Sequence, residues 1–134
     1  MINAMFAVTL LLSSAPGVQV DVGRINQKGL PPLQAVERSL PTATMVESVE
    51  KILESGQCNL PGQSAQRFDI TVPYAVLVEP DGSAGRVVVQ ETGCAPLESY
   101  VGLVVMRLAN QGDFAKSRAP KARWYTSELN FNLQ

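Results

Sequence analysis

The stretch that most constrains this chain is residues 74–102, YAVLVEPDGSAGRVVVQETGCAPLESYVG. Just ahead of it and into it, Val72, Tyr74, Val76 and Val78 alternate with Thr71, Pro73, Ala75 and Leu77, the period of a strand with one more apolar face. Pro73 has no N–H for a ladder and belongs at a strand start or an edge. Pro80-Asp81-Gly82 is turn chemistry, because proline presets φ and glycine accepts positive φ cheaply. RVVVQE then returns as a second strand, which makes a β-hairpin. Gly93 stops that strand and Pro96 suits the first turn of a helix. Leu97, Tyr100, Val101, Val104, Val105 and Leu108 form one helical stripe, and Gly112 stands where the helix should finish.

A second amphipathic helix precedes the hairpin. Met45, Val46, Val49, Ile52 and Leu53 share a face, Thr44 and Glu47 have capping-box spacing, and Gly56 is placed to end the helix. After the second helix, Tyr125, Leu129, Phe131 and Leu133 alternate with Thr126, Glu128, Asn130 and Asn132, a half-buried strand. The expected fold is therefore α+β: a small three-stranded antiparallel sheet packed against two helices, in the order α-β-β-α-β.

Composition excludes more than it assigns. The 134 residues are 46% apolar and 17% charged with a net charge of −1, which suits one small globular domain and argues against a nucleic-acid-binding face. Histidine is absent, which removes Ser-His-Asp and Cys-His nucleophilic sites and His-ligated metals, and two cysteines cannot close a zinc site. Asp69, Glu79, Asp81 and Glu91 make no carboxylate constellation, since Asp81 is explained by the turn and Glu79 by a strand end. The expectation is a non-enzyme without cofactor or metal. Lys116, Arg118, Lys121 and Arg123 place four cations within eight residues, beside Trp124 and Tyr125. This is a solvated loop in the simpler reading and an encounter surface for an anionic partner in the other.

Residues 1–22 read as a signal peptide: an apolar run from Ala4 to Leu12, interrupted by Thr9, is followed by Ser13, Ser14 and Ala15. The run is shorter than the roughly 20 residues a membrane span needs, so no stable span is expected. Residues 23–41, rich in Pro and Gly, read as a linker with a short helical turn from Leu33 to Leu40, and residues 42–134 as the folded domain. Export into an oxidising compartment suits Cys58 and Cys94, an even pair, as a structural disulfide. Two buried thiols or a redox pair are the alternatives, the latter usually being closer in sequence.

Several pieces resemble the C-terminal domain of TonB energy transducers. VLVEPDGSAGRVVVQETGC matches the hairpin, APLESYVGLVVMRLA the helix, Phe114 in GDFAKS an aromatic of the following loop, and WYTSELNFNL the closing strand. The resemblance covers about residues 70–133. The family's Tyr-Pro segment ahead of the hairpin and its Trp in the helix-exit loop are absent, as is a long Pro-rich spacer, so what is implied is a stand-alone periplasmic form. It implies protein binding by β-augmentation, in which main-chain groups of the terminal strand pair with a peptide of an outer-membrane transporter or other envelope protein. The implied edge comprises Arg123, Trp124, Thr126, Glu128, Asn130 and Asn132, with Trp124 as an anchor. The same open edge would also allow a homodimer. The alternatives are a small periplasmic ligand-binding or inhibitory domain, for which the sheet is only a scaffold, and an enzyme using Lys, Tyr or carboxylates.

Overall fold

Alternate residues of the central strand that follows the first helix are buried because one sheet face carries both helices. In the computed structural model, which describes residues 19–34 and 40–134, β2 (Phe68–Val78) turns Phe68, Ile70, Val72, Tyr74, Val76 and Val78 into the core. It pairs antiparallel with β3 (Ala84–Gln90) and, along its whole length, with β4 (Arg123–Leu133). Val87 and Val89 of β3 and Tyr125, Leu129 and Phe131 of β4 complete the apolar surface. On it lie α1 (Ala43–Glu54), over β4, and α2 (Ala95–Asn110), over β3. The helical stripe read from the sequence is the buried one, with Leu97, Val101, Val104, Val105 and Leu108 all inside.

The hairpin closes as its sequence dictates. Gly82 N–H donates to the Glu79 carbonyl at 2.8 Å with Gly82 at φ +89°, and Asp81 Oδ1 accepts Ser83 N–H at 2.9 Å and Ser83 Oγ at 2.6 Å. Glycine is needed there twice over. Its φ is left-handed, and a Cβ would stand 2.9 Å from the Ala115 Cα of the turn packed above it.

The class is α+β, but the sheet has four strands and is mixed. The expected three antiparallel strands are joined by β1 (Gln19–Gly23), which pairs parallel to β3, so the order is β1-β3-β2-β4. QVDVG is five residues beside glycines and prolines, too short to stand out locally, and each of its residues pairs with one 67 positions further along the chain. It is held by Val20, whose Cγ1 would be 2.7 Å from a Cβ at Gly102, so the missing side chain lets α2 settle onto this strand. On the opposite face Asp21 pairs with Arg86 at 2.9 Å. The apolar run of the expected signal peptide lies outside the described residues.

Two further local expectations differ from the structure. Thr42 caps α1, its Oγ1 accepting Met45 N–H at 3.2 Å, while Thr44 already lies inside the helix, where its carbonyl accepts Ser48 Oγ at 3.2 Å. The threonines are two residues apart, and the extended backbone of Thr42 (φ −80°, ψ 167°) decides between them. Leu33 and Gln34 lie outside any helical turn, and the Leu33 N–H donates instead to the Thr126 carbonyl. Residues 35–39 of that expected turn lie outside the described residues.

Cys58 and Cys94 form a disulfide with a Cα–Cα separation of 5.1 Å. It joins the segment beyond α1 to the N-cap of α2. Glu98 reinforces the same corner. Its carboxylate accepts Thr92 N–H at 2.5 Å, Thr92 Oγ1 at 3.0 Å and Gly93 N–H at 3.1 Å, and these bonds, the Thr92 amide first, hold its pKa below the ordinary Glu value.

Candidate peptide-binding edge

β4 is one of the two sheet edges, the other being β1. Its ladder with β2 runs from Phe68↔Leu133 to Val78↔Arg123. In an antiparallel pair, alternate residues turn their main-chain groups away from the partner. Thr126 is one of the outward set, since its N–H and carbonyl bond to residues 31 and 33 and not to β2. By the same alternation Trp124, Glu128, Asn130 and Asn132 also present their main-chain groups to the outer edge.

The six residues singled out from the sequence share this strand but stand in different surroundings. Arg123 is exposed, with its guanidinium 5.8 Å from the Tyr125 ring centroid. Trp124 is half-buried and stacked under Arg86, the guanidinium 5.9 Å from the ring centroid. Thr126 is only 7% exposed, and its Oγ1 donates to the Tyr74 carbonyl at 3.1 Å. Asn130 Nδ2 donates to Asp69 Oδ1 and Thr71 Oγ1, both at 2.7 Å, so this amide is tied across to β2. Glu128 and Asn132 are exposed.

Thr126 is buried because the chain ahead of α1 is not a plain linker. After β1, residues 24–30 cross the sheet face opposite the helices, and residues 31–33 reach the outer edge of β4. There Thr126 N–H donates to the Pro31 carbonyl and Leu33 N–H to the Thr126 carbonyl, each at 2.9 Å, as a parallel bridge centred on Pro32. Gln34 N–H donates to Ser117 Oγ at 3.0 Å, and Ser117 is buried. Among the described residues, none beyond this segment pairs with the outer edge of β4. The crossing leaves an open groove of about 420 Å³, with Ala75, Val88 and Trp124 as its floor and Arg24, Ile25 and Leu30 on the covering side.

Sequence reasoning missed this strap. The available signal was Pro31-Pro32-Leu33 itself: proline favours extended backbone in the residue before it and disfavours helix, and such a segment is suited to an edge. Lys116, Arg118, Lys121 and Arg123 are all exposed on the approach to β4.

Burial pushes the Tyr74 phenol above its ordinary value, with the nearby Asp113 charge adding to this and a hydrogen bond from Ser127 opposing it, so Tyr74 stays protonated near neutrality. Among the described residues no three His, Cys, Asp or Glu side chains gather as a metal site, and no helix is long and apolar enough to cross a membrane. The chain matches no protein-family model, no curated protein and no solved structure.

Proposed function

We propose that this chain is a periplasmic protein-binding module of TonB C-terminal type, which pairs the edge of β4 with an extended peptide of an outer-membrane transporter or other envelope protein. It works by binding and not by catalysis. The observation that carries this reading is the pair of 2.9 Å main-chain bonds between Thr126 and residues 31 and 33, in which an extended segment already sits on that edge. The physical basis is β-augmentation, with affinity from main-chain bonds and selectivity from side chains along the edge. The order α1-β2-β3-α2-β4 is the one the resemblance implies, with β1 an addition at the far edge of the sheet. The Cys58–Cys94 disulfide supports an oxidising compartment, and the periplasm is the one we assign.

A second reading draws on the groove under residues 24–30, whose Trp124 floor and Ile25 and Leu30 walls suit a small apolar ligand. The test that separates the readings places a photo-crosslinking residue at Glu128 in the exported protein. Glu128 is preferable to Asn130, whose side chain is already committed to β2. Capture of a transporter's periplasmic peptide supports strand pairing, and self-capture supports a homodimer joined through β4. Absence of any specific adduct from a folded chain overturns peptide binding at this edge in favour of the groove.

A further inference from the structure

We propose that residues 31–33 are a built-in occupant of the β4 edge which a partner peptide displaces, and that their geometry specifies that partner. The partner is an extended segment running parallel to β4, with an apolar side chain at the position of Leu33 and no need of a main-chain donor at the position of Pro32. This inference rests on the strand-pairing reading above.

The internal segment shows which groups the edge uses. In the parallel bridge the Pro31 carbonyl and the Leu33 N–H meet Thr126, while the main-chain groups of Pro32 point away. A proline at that place therefore forfeits no ladder bond. Leu33 is partly buried against the margin of the core, so the edge selects an apolar residue there. Gln34 contributes a main-chain donor to Ser117, a contact that any following residue except proline reproduces. Each polar contact of residues 31–34 thus comes from backbone, and a foreign chain supplies the same groups.

Displacement needs a differential gain, because a ligand shifts an equilibrium only by its preference for one state. The bridge reaches only Thr126, and no described residue pairs with the outward groups of Glu128, Asn130 and Asn132. A longer peptide in the same register gains those bonds, which residues 31–34 do not make. The covering residues 24–30 also lie over an open groove and not over a filled interface. Against this stands tethering: a short linker holds its own segment at an effective concentration on the order of millimolar, which screens out weak competitors.

The test uses the full chain, ¹⁵N-labelled, and a synthetic peptide GLPPLQ that copies residues 29–34. Leu33→Ala loosens the internal segment, so the peptide binds the variant at least tenfold more tightly than the unaltered chain, with the largest amide shift at Thr126. Equal affinity for the two chains, no binding to the variant, or shifts centred away from β4 overturns the proposal. Gln34→Pro, which removes the donor to Ser117, serves as the second variant should Leu33→Ala fail to fold, with the same outcomes. Failure here alongside a transporter adduct at Glu128 sinks displacement and leaves strand pairing intact, whereas loss of the adduct as well sinks both.

Discussion

Replacing Glu98 with glutamine tests whether the corner at the start of α2 is held by charge. The carboxylate collects Thr92 N–H, Thr92 Oγ1 and Gly93 N–H within 3.1 Å, from the loop that leads into Cys94. Hydrogen bonds to a charged group are worth about 1.5–3 kcal/mol each when well buried. Glu98 is only partly buried and solvent screens much of that, while glutamine keeps one acceptor oxygen and loses only the charge. Glu98→Gln is therefore expected to lower stability by about 1 kcal/mol at neutral pH, a fall of roughly 0.5–1 M in the urea midpoint for a domain of this size. The sign of the pH dependence follows from the depressed pKa. The unfolded chain takes up the proton at the ordinary value of 4.5, the folded chain only at a lower pH. The stabilisation is complete above that ordinary value and is lost as pH falls through the folded one. Paired urea titrations at neutral pH and at about pH 3 should show the gap between the two proteins closing on acidification. A variant as stable as the parent at neutral pH, or a gap that persists at the acid end, would refute the argument.

Two other perturbations probe the frame. Cys58→Ser with Cys94→Ser opens a loop of sequence separation 36, and chain entropy places the loss at about 3.8 kcal/mol, read as a lowered thermal midpoint under non-reducing conditions. Thr42→Ala should destabilise by about 1 kcal/mol as a lost N-cap, against a few tenths for Thr44→Ala. Equal losses in chemical denaturation would place the cap elsewhere.

The local sequence by itself determined the hairpin, both helical stripes and the closing strand, because each depends on periodicity and turn residues close together in the chain. Pro80-Asp81-Gly82 forms the turn, and the stripe from Leu97 to Leu108 is the buried face of α2. The disulfide followed from two cysteines in an even pair. Tertiary structure decided what local signals do not encode. QVDVG becomes a strand only because β3 offers an edge and Gly102 leaves space for Val20. Thr126, on the polar phase of its strand, is buried only because residues 31–33 return across the sheet to bond it. Asn130 looks like an outward contact in sequence, yet its amide is held by Asp69 and Thr71 on the neighbouring strand. A period of two tells which face a side chain takes, but the pairing of distant segments decides whether that face meets water, another strand or the chain's own strap.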